Sequence, residues 1–152
     1  MIFKIFISMR PLQWIKNLFI FFPIIFSGVL FNKLIFLEAI NTFFVFSIVS
    51  SAVYMFNDII DFKADNQHPI KMLRPIPSRQ VSIKLAYIVI FLLLAGSFFI
   101  SLLFINIYIS IILFIYVILN VSYSLLLKKI VILDAFIIAI GFVLRMLTGT
   151  VI

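Results

Sequence analysis

The segment LAYIVIFLLLAGSFFISLLF, residues 85–104, runs for 20 residues without a charged side chain. A helix rises about 1.5 Å per residue, so about 20 apolar residues cross the hydrocarbon core of a bilayer. The segment therefore predicts a transmembrane helix. Its Leu, Ile and Phe residues do not alternate strictly with polar ones, which argues against a strand of a membrane barrel.

Four more apolar stretches of similar length flank this segment, and they predict spans at residues 18–36, 39–57, 106–127 and 131–152. Of the 152 residues, 66% are hydrophobic and 11% are charged, which is far more apolar than a soluble domain. We predict one all-α membrane domain over residues 1–152. It is a polytopic transmembrane helical bundle with five spans and one long polar loop, residues 58–84.

The net charge is +7, and its distribution favours a membrane topology signal over nucleic-acid binding. Basic residues precede the first span and occupy two alternate connections: Lys4, Arg10 and Lys16, then Lys63, Lys71, Arg74, Arg79 and Lys84, then Lys128 and Lys129. The opposite connections carry only Lys33, which Glu38 offsets. The pattern predicts an integral protein of the plasma membrane, with the amino terminus and the basic loops in the cytoplasm. Nucleic acid is not an expected partner.

Three of the five acidic residues, Asp58, Asp61 and Asp65, fall within one short stretch at the end of the second span. Offsets of three and four residues place them on one face of a helix, with Asn57 at the border of that face. Like charges stacked in this way repel one another, so the pattern suggests a compensating cation. The alternative is that these acids pair with Lys63, Lys71 or Arg74 on a solvated loop.

The chain has no cysteine and a single histidine, His68, so thiolate and histidine metal sites are excluded. Carboxylate oxygens next to many basic residues favour magnesium, which usually binds through one or two carboxylates together with substrate phosphates. We therefore predict Mg²⁺ bound to a diphosphate as the ligand. Lys71, Arg74 and Arg79 are candidate phosphate contacts, although positive-inside anchoring explains each of them equally well.

Two further polar groups lie next to or within apolar spans. Lys16 and Asn17 enter the first span. Arg145 lies well inside the fifth span, and Asp134 stands about three turns earlier on the same side of that helix. We expect Arg145 to face a polar cavity or an internal acid, because ionisable residues inside a membrane rarely face lipid. A buried structural pair is the alternative.

The segment NDIIDFKAD, residues 57–65, resembles the N-D-x-x-D-x-x-x-D motif of the UbiA superfamily of intramembrane prenyltransferases. Residues 10–17 (RPLQWIKN), 68–76 (HPIKMLRPI) and 141–145 (GFVLR) resemble one branch of it, the decaprenyl-phosphate phosphoribosyltransferases. This resemblance implies transfer of phosphoribose from phosphoribosyl diphosphate to a polyprenyl phosphate lipid, which yields a cell wall precursor and diphosphate.

The resemblance also implies roles for individual residues. Asp58, Asp61 and Asp65 would be the catalytic residues that hold Mg²⁺ on the donor diphosphate. The implied substrate-binding residues are Lys16, Asn17, Asn57, Lys71, Arg74, Tyr123, Lys128 and Arg145. A prenyltransferase that moves a polyprenyl group from its diphosphate to an aromatic or lipid acceptor is the alternative within the same superfamily.

The chain departs from the family pattern in two respects. Arg79 stands where the family usually has Gly after the Arg-Pro-x-x-Ser run, and the second aspartate motif is absent. Family members have about nine spans, so we expect this chain to be a truncated, amino-terminal half. A second alternative is accordingly an inactive fragment or a non-catalytic membrane subunit. The sequence does not fix the oligomeric state, and a homo-oligomer is an open alternative.

Overall fold

The computed structural model describes residues 1–126, 128 and 131–152, and every regular element over these residues is a helix. The helices are α1 (Ile2–Ser8), α2 (Pro11–Phe26), α3 (Lys33–Ile60), α4 (Phe62–Asp65), α5 (Ile83–Ile105), α6 (Ile107–Leu125) and α7 (Val131–Thr150), with a short 3₁₀ helix at Lys71–Leu73 in the loop after α4. Within the described residues, α3, α5, α6 and α7 are long and apolar enough to cross a membrane, and α2 is a shorter apolar helix. The prediction of an all-α polytopic bundle is confirmed.

The bounds predicted for the first span, residues 18–36, are wrong. The apolar helix α2 ends at Phe26, and a turn at residues 27–32 separates it from α3. Gly28 holds a φ of 73° in this turn, a backbone conformation that glycine adopts without a steric cost. The side chain of Asn32 then accepts hydrogen bonds from the N–H groups of Leu34 and Ile35 and so caps α3. Residues 27–32 carry no charge, so the search for charge-free stretches did not reveal this turn.

The other spans lie close to their predicted positions, although α3 extends beyond residues 39–57 at both ends. The prediction that one helix carries all three aspartates of the acidic motif is wrong, because α3 ends at Ile60. Asp61 lies at the break with φ −85° and ψ 3°, and α4 is a single turn. The three aspartates therefore do not share one continuous helix.

The central helix is α3, which packs against α2, α5 and α6. Phe46 and Val49 of α3 meet Ile20 of α2 and Leu113 of α6 in one buried cluster. Near the acidic end of α3, Met55 packs with Ile76 and other apolar residues in a second cluster. The loop after α4 is thereby fixed onto the bundle and does not extend freely into solvent.

The helix α7 returns to the start of the bundle and packs along α2. At their contact, a Cβ atom on Gly149 would lie 2.0 Å from the carbonyl oxygen of Ile20. Only glycine permits the two backbones to approach this closely. The contact brings the fifth apolar helix next to the first.

Candidate active site at one end of the bundle

Asp58 and Asp65 converge on a single guanidinium group. Asp58 lies in the last turn of α3 and Asp65 ends α4, and both are almost fully buried, with 1% and 3% of their surfaces exposed. Nη1 of Arg74 donates hydrogen bonds to Oδ1 of Asp58 at 3.2 Å and to Oδ2 of Asp65 at 2.8 Å. Two carboxylate oxygens thus surround one position, which Arg74 occupies.

A second base on Asp58 is Arg10, which sequence reasoning did not include among the site residues. Its Nη2 donates to Oδ1 of Asp58, and its guanidinium lies 5.4 Å from the ring centre of Tyr54. Arg10 precedes α2 and has a positive φ of 53°. The signal was present in the sequence, since Arg10 begins the RPLQWIKN segment at residues 10–17.

Asp61 faces a different part of the site. Its Oδ1 accepts a hydrogen bond from Nζ of Lys128, in the connection between α6 and α7. The Asn57 side chain also contacts this side of the bundle, because its Oδ1 accepts a bond from Oγ of Ser124 at 3.1 Å. The structure therefore brings Asn57, Asp61 and Lys128 to the edge of the site that α6 forms.

Tyr123 donates its hydroxyl proton to Oδ1 of Asp134 at 2.7 Å, so it joins α6 to α7 and does not bond to the three aspartates. Lys71 reaches Asp65 only at 3.9 Å and is exposed. Lys16 is exposed too, and it forms no ion pair or hydrogen bond with the described residues. Of these three predicted substrate contacts, only Lys71 pairs with one of the three aspartates in the part of the chain that the structure describes.

The position of Lys16 follows from the local geometry of α2, which is a 3₁₀ helix over Pro11–Ile20. Such a helix has three residues per turn, so side chains three apart lie on one face. Trp14, Asn17 and Ile20 form this inward face, and Nε1 of Trp14 donates to Oγ of Ser51 at 2.9 Å. Lys16 falls outside that face and therefore points away from the bundle.

Asn17 and Arg145 form a separate buried network. Nε of Arg145 donates to Oδ1 of Asn17 at 2.8 Å, while Nδ2 of Asn17 donates to Oγ of Ser47 at 2.9 Å. Nη2 of Arg145 donates to the hydroxyl oxygen of Tyr116 at 3.2 Å, and Nη1 donates to the Gly141 carbonyl oxygen at 2.7 Å. The partners of Arg145 among the described residues are neutral, so of the two surroundings expected for it, a polar cavity or an internal acid, the acid is not found there.

Three aromatic rings surround the buried guanidinium of Arg145. The guanidinium carbon of Arg145 lies between 5.2 and 5.5 Å from the ring centres of Phe46, Tyr116 and Phe142. A ring face attracts a cation most strongly where water is excluded, and Arg145 is only 4% exposed. Asp134, predicted to share a side of the helix with Arg145, bonds instead to Tyr123.

The acidic residues fit magnesium that is completed by phosphate oxygens. Magnesium takes oxygen ligands, and the carboxylates of Asp58 and Asp65 supply them around one position. Over residues 1–126, 128 and 131–152, no three His, Cys, Asp or Glu side chains are grouped closely enough to hold a metal by themselves. Asp61 accounts for this, because its carboxylate turns to Lys128.

Comparison with known proteins identifies the family. The sequence pattern of the UbiA prenyltransferase family matches residues 17–152, which is most of the chain. The chain belongs to the UbiA prenyltransferase family. The predicted membership of the UbiA superfamily is confirmed. The N-D-x-x-D segment that suggested it lies at the acidic end of α3 in this UbiA-family chain.

Several curated relatives are named decaprenyl-phosphate phosphoribosyltransferase. The protein of Corynebacterium glutamicum is 30% identical over 95% of this UbiA-family chain and 44% of its own length. The Mycolicibacterium smegmatis protein is 32% identical over 95% of the chain and 46% of its own length. The Mycobacterium tuberculosis protein is 29% identical, with 49% of its length covered. The chain spans about half the length of the curated relatives it matches.

Proposed function

We propose that this protein takes part in the transfer of phosphoribose from phosphoribosyl diphosphate to a polyprenyl phosphate in the membrane, with magnesium on the donor diphosphate. The observation that carries the proposal is the convergence of Asp58 and Asp65 on Arg74, with Arg10 also on Asp58 and Lys128 on Asp61. The names of the three relatives support phosphoribose as the transferred group.

The site provides both charges that a magnesium diphosphate requires. Its carboxylates suit the metal, and its guanidinium and ammonium groups suit the phosphate oxygens. In the structure, these acids and bases pair with one another. We infer that donor binding exchanges these partners, so that Arg74 and Lys128 move to the donor phosphates and the carboxylates move to the metal.

The proposed reaction is a substitution at carbon 1 of the ribose. An oxygen of the lipid phosphate forms the new bond to this carbon, and the bond from the carbon to the diphosphate oxygen breaks. The diphosphate leaves with the bonding electron pair, and the attacking phosphate oxygen is already anionic, so no proton has to be removed from it. Magnesium supplies charge stabilisation to the leaving diphosphate. The basic side chains hold the diphosphate in position and stabilise its increasing charge.

Incorporation of label into lipid tests this proposal. Membranes from cells that express the protein are incubated with labelled phosphoribosyl diphosphate, and parallel samples receive labelled prenyl diphosphate. We expect the phosphoribosyl label to enter the lipid fraction only when magnesium and polyprenyl phosphate are present. If only the prenyl label is transferred, the alternative activity of the family, prenyl transfer to an aromatic or lipid acceptor, replaces this proposal.

A further inference from the structure

A cavity of about 770 Å³ opens between α1, the start of α2 and residues 70–80 of the loop. Its volume falls within the range of about 300–1,000 Å³ that is common for ligand sites. Asp58 and Arg74 form part of its lining, so the cavity borders the convergence point of the candidate active site. The remaining walls determine which kind of molecule it accepts.

One wall of this cavity is apolar and open to the surroundings. Phe3, Phe6 and Ile7 of α1 line it, and 69%, 48% and 39% of their respective surfaces are exposed. Ile70 and Leu73 of the loop also line the cavity, and they are largely exposed too. In a protein whose spans lie in a bilayer, such a wall suits a hydrocarbon chain.

The lining of the cavity has an excess of positive charge. Lys4, Arg10 and Arg74 line it, with Asp58 as the single acid among its lining residues. Arg10 and Arg74 both bond to Asp58, whereas Lys4 forms no ion pair within the part of the chain that the structure describes. Asp65 also pairs with Arg74, so the three bases exceed the two acids by one cation, and Lys4 favours an anion in the cavity.

We propose that this cavity binds the phosphate and the first isoprene units of the polyprenyl phosphate acceptor, with the phosphate near Lys4 and Arg10 and the chain along Phe3, Phe6 and Ile7. This inference rests on the proposed function. A molecule with an anionic head and a single apolar chain matches both walls, whereas a water-soluble sugar diphosphate leaves the apolar wall unused. The donor then occupies the other side of the carboxylates, next to Asp61 and Lys128.

Trp14 offers a direct test, because it is the only tryptophan in the chain and its ring lies 6.4 Å from that of Phe6. Brominated farnesyl phosphate is titrated into the protein in zwitterionic nanodiscs, since bromine quenches indole fluorescence only near contact. We expect saturable quenching, with apparent binding about tenfold tighter than that of brominated farnesol, because one charge-assisted contact contributes roughly that factor.

Two matched pairs of variants locate the site. Lys4→Gln should weaken the binding of farnesyl phosphate about tenfold, whereas Lys84→Gln, which removes the same charge outside the cavity, should leave it unchanged. Phe3→Ala should weaken binding severalfold through loss of apolar contact, and Ile2→Ala on the same helix should not, because Ile2 does not line the cavity.

The remaining outcomes overturn either this assignment or the proposed function. Equal quenching by brominated farnesol would indicate partition of the chain alone, and full displacement by inorganic phosphate would indicate a site for free anions. Equal displacement by phosphatidic acid would indicate a phospholipid headgroup site. Absence of quenching in a preparation that still transfers labelled phosphoribose to lipid would remove this cavity and leave the proposed function intact. Quenching with the expected variant pattern, but with no transfer of label, would contradict the proposed function alone.

Discussion

At the scale of single residues, the two arginines with positive φ show how this chain departs from ordinary backbone preferences. Arg10 and Arg79 have φ values of 53° and 61°, a region in which a Cβ atom crowds the following carbonyl group. Arg79 occupies the position where the resembled family pattern has Gly, and its conformation supplies a physical reason for that preference. Its guanidinium lies 6.0 Å from the ring centre of Phe62, a contact that offsets part of the cost.

Replacement of Arg79 by Gly should therefore stabilise the protein. We expect the free energy of unfolding to rise by about 0.5–1 kcal/mol, since removal of the Cβ atom relieves more strain than the added chain entropy costs. Denaturant unfolding in detergent measures the change. Arg79→Ala is the control, because it removes the same charge and ring contact but keeps the Cβ atom. An equal gain in both variants would assign the effect to charge instead of backbone.

Asp61 is the residue at which the proposed magnesium dependence is tested. In the complete protein, Asp61→Asn should abolish magnesium-dependent binding of phosphoribosyl diphosphate, because it removes a carboxylate charge next to the donor. Glu38→Gln makes the same charge change near the opposite end of α3 and should not alter binding. Calorimetric titration with and without magnesium measures both variants. Normal binding by Asp61→Asn would count against the site.

At the scale of elements, the approach of α7 to α2 depends on one glycine. Gly149→Ala would bring a Cβ atom to 2.0 Å from the Ile20 carbonyl oxygen, so the two helices would have to separate. We expect a loss of about 2 kcal/mol or more in unfolding free energy, as for other overpacked contacts. Gly96→Ala is the matched control on α5, where no atom lies within 4 Å of the added methyl group.

The control should shift stability in the opposite direction. Alanine loses less conformational entropy than glycine when it enters a helix, so Gly96→Ala should raise stability by about 0.5–1 kcal/mol. Thermal unfolding of both variants in one detergent gives the comparison. If Gly149→Ala is as stable as Gly96→Ala, the close approach of α7 to α2 does not exist in the membrane.

Sequence reasoning located the long helices because hydrophobic length alone determines them. The predicted segments 85–104 and 106–127 differ from Ile83–Ile105 and Ile107–Leu125 by only a few residues. Sequence reasoning did not predict the helix ends at which single residues change the direction of the backbone. Gly28 turns the chain inside the predicted first span, and Asp61 lies between two helices.

The candidate site likewise has features that the sequence predicted and features that it did not. The residue types around Asp58 were predictable, because three acids among many bases are unusual in so apolar a chain. The contacts of the site residues were not predictable from the sequence. For example, the 3₁₀ geometry of α2 decides that Asn17 points inward and Lys16 outward. Arg10 was missed for a related reason, since its contact with Asp58 joins residues that lie far apart in the sequence.

At the scale of the whole molecule, all observed ion pairs of the described residues lie at one end of the bundle, where α3 ends and α7 begins. The turn between α2 and α3 lies at the other end. Positive charge in connecting loops marks the cytoplasmic side of a membrane protein. The end that contains the candidate active site is therefore expected to face the cytoplasm.

Cysteine labelling tests this orientation on a favourable background, because the chain has no cysteine. An impermeant maleimide added to intact cells should label Phe31→Cys, whose parent residue is 95% exposed in the turn after α2. Gln67→Cys, in the exposed loop after α4, should react only after the cells are permeabilised. The reverse pattern would place the acidic end outside the cell. The unsubstituted protein is the blank.

The hydrogen bond between Arg145 and Asn17 joins residues 128 positions apart, which gives it a consequence for biosynthesis. A ribosome adds about 5–20 residues per second, so roughly 6–26 s pass between the synthesis of the two partners. During that interval, Asn17 is already part of the nascent chain, whereas Arg145 has not yet been synthesised. Ser47 and Ser50, which bond to the same amide, are synthesised about 1.5–7 s after Asn17 and well before Arg145. The nascent chain thus supplies two hydrogen-bond partners for the Asn17 amide before Arg145, on α7, is synthesised.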